Sequence, residues 1–490
     1  MLSLIFAAAL IAPVAATGAA AVTEHRPLVT RGDGFIRSPV NALAGPAPKL
    51  RVRQNEIEVE NQLTGTRYAV DIELGTPPQQ LTLILDTGSP DTWVNPTCDN
   101  VVLVADCESF PHFDPTESSS FNATRNSDIL VYGIGNATIR YVRETLTIGS
   151  ATIENQIIGI ATESHRIPLG ILGLSPHPRG RNDYPYVLDT MLDQGLINSR
   201  AFSLDLRGVD NANGALIFGG IDTGKYIGAL AKLPMLDRRE TPLGADRYYV
   251  TMTAVGLTMG DGSVVRSEDI NVPVFLDSGS TFSHLPTSIY QAFAEAFGDG
   301  QYDPSTGYYY LPCDVVDLEG SIDFYFGDKA IRVSLNDFVW QVQGFCILGV
   351  LPDDSEPILG DTFLRAAYVV FDQDNRNLHI AQAANCGTNL VAIGSGEDAV
   401  PSSTGECTEL PTATGTGDSL DVTRTRAPTG TFTGTGPTGV DIGPGPAASR
   451  ISGGSGVDPT ESPSAGHRGA EVGVGALVAL GFVNMLAWML

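Results

Sequence analysis

Between Glu56 and Ala384 the apolar positions fall in short runs, rich in β-branched and aromatic residues and broken by Gly, Asn, Asp and Pro. Runs of this kind predict strands rather than helices. They fall at Tyr68–Leu74, Leu81–Leu85, Ile129–Tyr132, Thr145–Ile148, Ile153–Ile160, Ala215–Phe218, Tyr248–Val255, Val274–Leu276, Tyr308–Leu311, Ser321–Phe326, Ala367–Phe371 and Asn377–Ala381. Gly75-Thr76-Pro77-Pro78 and Asp303-Pro304-Ser305-Thr306-Gly307 read as turns. Helical spacing appears at Pro185–Gln194 and at Thr287–Phe297, where Thr287 is placed to cap. The pattern predicts an all-β body with a few short helices. A β body of this length divides into two lobes, here 56–230 and 231–386, with the boundary near Gly228–Thr241.

The pattern fails at both ends. Leu2–Ala16 is apolar and ends in the small residues Val14-Ala15-Ala16, which reads as a signal peptide over 1–16. Residues 17–53 carry Arg26, Arg31, Arg37, Lys49, Arg51 and Arg53 against Glu24 and Asp33. This basic leader ahead of an acidic body reads as a pro-segment held by charge, with a plain flexible arm as the alternative. Arg51-Val52-Arg53 is a candidate processing site. From Gly387 to Gly466 the chain turns to Gly, Ser, Thr and Pro with no apolar periodicity, the composition of an O-glycosylated or simply disordered stalk. Ala476–Leu490 is apolar and has no Lys or Arg after it. Small residues Ser464-Ala465-Gly466 and a polar spacer precede it, so 467–490 fits a glycosylphosphatidylinositol (GPI) attachment signal with Ser464 as the attachment residue. A single C-terminal transmembrane helix is the alternative reading.

Composition narrows the class. The formal net charge of −27 argues against nucleic acid as a partner, since phosphate binding needs a basic surface. It is compatible with an acidic working pH or with simple solubility. The six cysteines are legible as disulfides in an exported chain. A nearest-neighbour scheme pairs Cys98 with Cys107, Cys313 with Cys346, and Cys386 with Cys407, one of many connectivities six cysteines allow. Asn122-Ala123-Thr124 and Asn136-Ala137-Thr138 are glycan acceptor motifs. There is no Cys-x-x-Cys pair and no His-Glu-x-x-His, so a metal site is not expected.

The chemistry lies in a repetition. Leu81–Ser89 reads LTLILDTGS and Val272–Ser280 reads VPVFLDSGS. Gly170–Ser175 reads GILGLS and Pro357–Thr362 reads PILGDT. The aspartates stand 191 positions apart (86 to 277) and the following glycines 187 apart (173 to 360). One unit therefore occurs twice in the same internal order, and each copy delivers one carboxylate at the end of a strand. Two such acids brought together cannot both ionise cheaply, so they share a proton. One acid then takes a proton from water while the other hydrogen-bonds a carbonyl, a division of labour already known from aspartic-protease dyads.

At these residues the chain resembles the pepsin-like aspartic proteases over nearly all of 56–384. The resemblance implies a bilobal double-β-barrel architecture with a pseudo-twofold axis and a cleft between the lobes. It makes Asp86 and Asp277 the catalytic pair. Thr87 and Ser278 would lock the two loops together, with Gly88 and Gly279 at the turns. Ser89 and Ser280 would hydrogen-bond the outer carboxylate oxygens. Ile171-Leu172-Gly173 and Ile358-Leu359-Gly360 would brace the loops. Leu130–Gly135 resembles the family's flap, with Tyr132 as its tyrosine, Gly133 and Ile134 facing substrate, and Trp93 placed to hydrogen-bond Tyr132. The succession of signal, leader, body, stalk and lipid-signal tail resembles the fungal surface-anchored members called yapsins. The implied protein is a secreted, surface-tethered endopeptidase, made as a zymogen and active at acidic pH. Peptides or proteins are its substrates, it is a monomer, and it uses neither a metal nor an organic cofactor. Ile134 stands where an acid accompanies basic-residue preference, which leaves basic and apolar choices at P1 both open.

Overall fold

The computed structural model describes residues 30–32, 34–43 and 67–408, apart from 102–103, 178–183, 209–212, 299 and 343. The signal stretch, the Arg51–Arg53 site, Ser464 and the apolar tail lie outside the described residues. Strands dominate, and the helices are short.

The sequence repeat is also a repeat of pairing. Gln79–Asp86 runs parallel to Gly170–Gly173, with Leu85 opposite Leu172. Trp93 pairs antiparallel with Ile171, and Trp93–Val94 runs parallel to Gly159 and Ile160. In the second half Val272–Leu276 runs parallel to Ile358–Leu359, with Leu276 opposite Leu359. His284 pairs antiparallel with Ile358, and Ser283–Leu285 runs parallel to Val350–Pro352. Parallel strands covered on both faces need near-continuous apolar runs. That is why LTLIL and VFL precede the two aspartates: Leu83, Leu85, Val274 and Leu276 are all buried.

A large sheet joins the halves. Ala201–Asp205 pairs with Ala367–Asp372 from the other end of the chain. The boundary region is itself a strand, Tyr226–Pro234, which pairs with Asn377–Ala383 around a bulge between Ile227 and Ala231. The apolar core is continuous across the junction, with Phe202 stacked on Phe371 at 4.6 Å and Tyr248 edge-on to the same ring.

Three elements differ from expectation. Phe35–Leu43, inside the leader, is a strand lying between Asn213–Phe218 and Arg67–Leu74. Pro39 hid it, because proline cannot donate to a ladder and argues against a central strand. It is tolerated here because Pro39 pairs only with Ala215: pairing with Thr30–Gly32 stops at Arg37, and contact with Arg67–Leu74 begins at Asn41. At the other end, residues 387–408 are packed rather than stalk-like. Leu390–Ala392 pairs with Gly220–Asp222, and Ile393, Ala399 and Val400 are buried against Tyr226 and Tyr368. Finally, Thr287 is the first residue of its helix, Thr287–Ala296, and not its cap. Asp354 does the capping from outside, accepting from the Thr287 N–H at 2.8 Å and its hydroxyl at 2.7 Å.

Candidate active site

The first half's strand ends at Asp86 and the second's at Leu276, directly before Asp277, and in both the chain then turns at once. The Leu174 N–H donates to the Asp86 carbonyl at 2.8 Å, and the Asp277 N–H donates to the Leu359 carbonyl at 3.1 Å. The brace motifs thus hold the loops by backbone bonds. Across the junction the Thr87 N–H donates to the Ser278 hydroxyl at 3.2 Å, and the Ser278 N–H to the Thr87 hydroxyl at 2.9 Å. Each hydroxyl then donates to the opposite strand, Thr87 to the Leu276 carbonyl at 2.9 Å and Ser278 to the Leu85 carbonyl at 2.8 Å. All four bonds are buried and register one half against the other.

The two carboxyls meet above this lock. A Cβ added to Gly88 would lie 2.6 Å from an Asp277 oxygen, and one added to Gly279 would lie 2.8 Å from an Asp86 oxygen. Glycine is required there by close approach, since neither has a positive φ. Asp86 accepts from the Gly88 N–H at 2.7 Å, the Ser89 N–H at 3.2 Å and the Ser89 hydroxyl. Asp277 accepts from the Gly279 N–H at 2.8 Å. Ser280 departs from the expected symmetry: its hydroxyl donates to the Phe282 carbonyl at 2.9 Å and not to Asp277. The turn after Asp277 directs that hydroxyl down the chain, so Asp277 has fewer donors than Asp86.

Burial pushes both carboxyls up from the usual range. For Asp86 the Ser89 and Gly88 donors oppose it. For Asp277 the neighbouring charge of Asp86 adds to burial, and it stands well above an ordinary carboxyl. The pair therefore titrates as a unit and retains a proton where isolated carboxyls have lost theirs.

A hairpin overhangs the pair. Asn122–Val131 and Asn136–Ile148 are antiparallel, and their turn is closed by the Tyr132 N–H donating to Gly135 at 2.8 Å. Fully buried Trp93 donates its indole N–H to the Tyr132 hydroxyl at 2.7 Å. Tyr132, Gly133 and Ile134 line the same cleft as Asp86 and Asp277. Of the acceptor motifs, Asn122 is exposed and Asn136 is half-buried at the start of the returning strand. Cys98–Cys107, Cys313–Cys346 and Cys386–Cys407 are bonded, and all lie away from the residues that line the cleft.

Sequence reasoning missed the opposite wall. Arg247, Phe275 and Glu356 line the cleft beside the two aspartates. Arg247 pairs with Glu356 at 2.6 Å, and the Tyr249 hydroxyl donates to the same carboxylate at 3.0 Å. The signal was present but unread. A basic residue opens the apolar Tyr248–Val255 run, and an acid directly precedes Pro357-Ile358-Leu359-Gly360.

A family model described as Eukaryotic aspartyl protease matches residues 67–383. The chain belongs to this family. The protease is 32% identical over 422 residues to the probable aspartic-type endopeptidase opsB of Aspergillus oryzae, covering 81% of this chain and 85% of that one. It is 32% identical over 343 residues to the aspartic proteinase yapsin-3 of Saccharomyces cerevisiae, covering 64% and 66%. The crystal structure of aspartic proteinase from Irpex lacteus shares the fold, with a TM-score of 0.54 at 22% identity, over 71% of this chain and 98% of that one. The protease is thus an aspartic-type endopeptidase with the mainly β, pepsin-like architecture that the resemblance implied.

Proposed function

We propose that the protease hydrolyses peptide bonds through a water held between Asp86 and Asp277, at acidic pH, outside the cell and tethered to its surface. The observation that carries the chemistry is the pairing of two buried carboxyls, both pushed upward, with the larger displacement at Asp277. One proton on the pair leaves one carboxylate to accept from water and one acid to donate to the scissile carbonyl. Nucleophile and acid then act together, and no covalent intermediate forms. The locked loops keep the pair in place before substrate arrives, and Tyr132 closes from above. Thr87, Ser278 and Ser89 serve by holding the carboxyls and do not react.

Secretion and tethering rest on the sequence ends: the signal stretch to Ala16, the leader to Arg53 as pro-segment, and Ser464 before the apolar tail. Among the described residues no helix is long and apolar enough to cross a membrane. Digestion of a mixed peptide library by the matured protein across acidic to neutral pH tests the chemistry. Cleavage that is strongest at acid pH and blocked by a statine peptide supports it; cleavage indifferent to statine overturns it. Release of surface activity by a phosphatidylinositol-specific phospholipase tests the tether, and persistence in the membrane favours a spanning helix.

A further inference from the structure

We propose that Arg247 and Glu356 form a charge-selecting device in the cleft, presenting a guanidinium that favours an acidic substrate side chain over a basic one. The inference rests on the peptide-cleaving reading above and specifies the substrate class for that site.

Two partners of opposite charge line the cavity, so the sign that substrate meets depends on which is in front. The Arg247 side chain is 32% exposed and that of Glu356 only 9%. Glu356 is held from behind by the Tyr249 hydroxyl, and that tyrosine is fully buried. Arg247 lies over the Phe275 ring at 4.9 Å, which fixes the guanidinium plane against the wall. Its bond to Glu356 uses one of the five N–H donors a guanidinium carries. The remaining edge can fork onto a carboxylate.

The adjoining compartment repeats the arrangement. It is lined by Arg238, Asp246 and again Arg247, together with Asp91 and Tyr132. Arg238 is 50% exposed and its partner Asp246 only 6%. In both places the cation is the more exposed member of the pair, while the carboxylate also lines the cavity. A lysine or arginine of the substrate would meet like charge first. Both bonds to Glu356 fall on Oε1, so such a cation could reach this carboxylate only at Oε2, beside the guanidinium. An acidic side chain meets the guanidinium without breaking either.

The test is binding to the matured protein, which needs no turnover. Statine-containing hexapeptides identical but for one residue, Glu, Gln or Lys, are scanned through the positions on both sides of the statine. Affinities are measured by calorimetry at about pH 5.5, where a peptide glutamate is ionised. At one position Glu should bind about tenfold tighter than Lys, a size set by a half-exposed charged hydrogen bond. Arg247→Gln should collapse that ratio to about unity, and Glu356→Gln should widen it by freeing the guanidinium. The proposal is overturned if no position favours Glu, or if Arg247→Gln leaves the ratio unchanged. Should Arg247→Gln bind no peptide at all, Glu356→Gln decides: a wider ratio supports the device, an unchanged or reversed one sinks it. Peptide cleavage by Asp86→Asn protein would overturn the dyad reading instead, and would leave the Glu preference standing.

Discussion

Thr87 and Ser278, 191 positions apart in the chain, each donate a backbone N–H to the other's side-chain oxygen. The exchange makes each half a template for the other, because both hydroxyls also donate to the opposite strand. Thr87→Val and Ser278→Ala each remove a donor and an acceptor in a buried setting. Each should cost about 2–4 kcal/mol, the sum of two unsatisfied buried partners. Activity should fall further than stability predicts, since the carboxyls lose registration. Denaturant unfolding and kcat/KM on one peptide substrate measure both, and a loss confined to stability would refute the positioning role.

Asp86→Asn and Asp277→Asn each abolish the shared proton while keeping shape. Each should lower kcat by about 10^3-fold or more, at the upper range of general acid–base effects. Neither should lower the melting temperature at neutral pH, where a buried charge is being replaced by a neutral amide. Full turnover in either variant would end the dyad assignment.

How much of this is readable from the chain follows from what makes each element form. The strands before Asp86 and Asp277 are legible because burial on both faces writes itself as an apolar run. The loop lock is legible only through the family resemblance that the doubled unit carries. Phe35–Leu43 is not, since its longest pairing is with the distant Asn213–Phe218 and Pro39 breaks the strand pattern. The Arg247–Glu356 pair joins residues 109 apart that belong to no motif, and only tertiary proximity shows that their charges oppose one another. Ser280 escapes prediction because the symmetry of the repeat does not extend to the direction of its hydroxyl.

Buried titrating groups set opposing limits on stability. Burial raises Asp205 to about 6, and Arg207 at 2.9 Å does not offset it. Its contribution is therefore full below the unfolded value of about 4 and is lost as pH rises through about 6. His284 and His379 are lowered by burial to about 4. Their contributions are full above about 6.5 and are lost as pH falls through about 4. Asp361, raised well above the usual range by burial, acts in the same sense as Asp205. Asp205→Asn should flatten the decline in melting temperature from pH 4 to 6, a contribution of up to about 3 kcal/mol. Calorimetric scans across that interval check it, and an unchanged slope would show that Asp205 does not titrate there.

The Trp93–Tyr132 bond ties the overhanging hairpin to the buried strand beneath it. Tyr132→Phe keeps the ring and removes the acceptor, leaving a buried indole N–H without a partner. The expected cost is about 1–3 kcal/mol. It should fall on the closed hairpin more than on the fold, because Tyr132 belongs to a turn whose neighbour Val131 is 74% exposed. KM should rise with little change in unfolding midpoint. A shifted midpoint with unaltered KM would assign the bond to stability alone.

The last prediction separates geometry from conformation at the two glycines. Gly88 and Gly279 lack positive φ, so alanine fits either backbone without strain. What it does not fit is the space: the added methyl at Gly88 meets all three carboxyl atoms of Asp277 within 2.7 Å, and at Gly279 it meets the carboxyl of Asp86. The side chains can only yield by moving apart. Gly88→Ala should therefore displace Asp277, and Gly279→Ala should displace Asp86, each cutting kcat by about 10^2-fold or more, the cost of misplacing a reacting group by about 1 Å. Separation would also relieve the like-charge repulsion that helps hold Asp277 high, so the basic limb of the pH–rate profile should move to lower pH. A Gly88→Ala protein with unaltered rate and an unmoved basic limb would show that the two carboxyls do not depend on their contact across the loops.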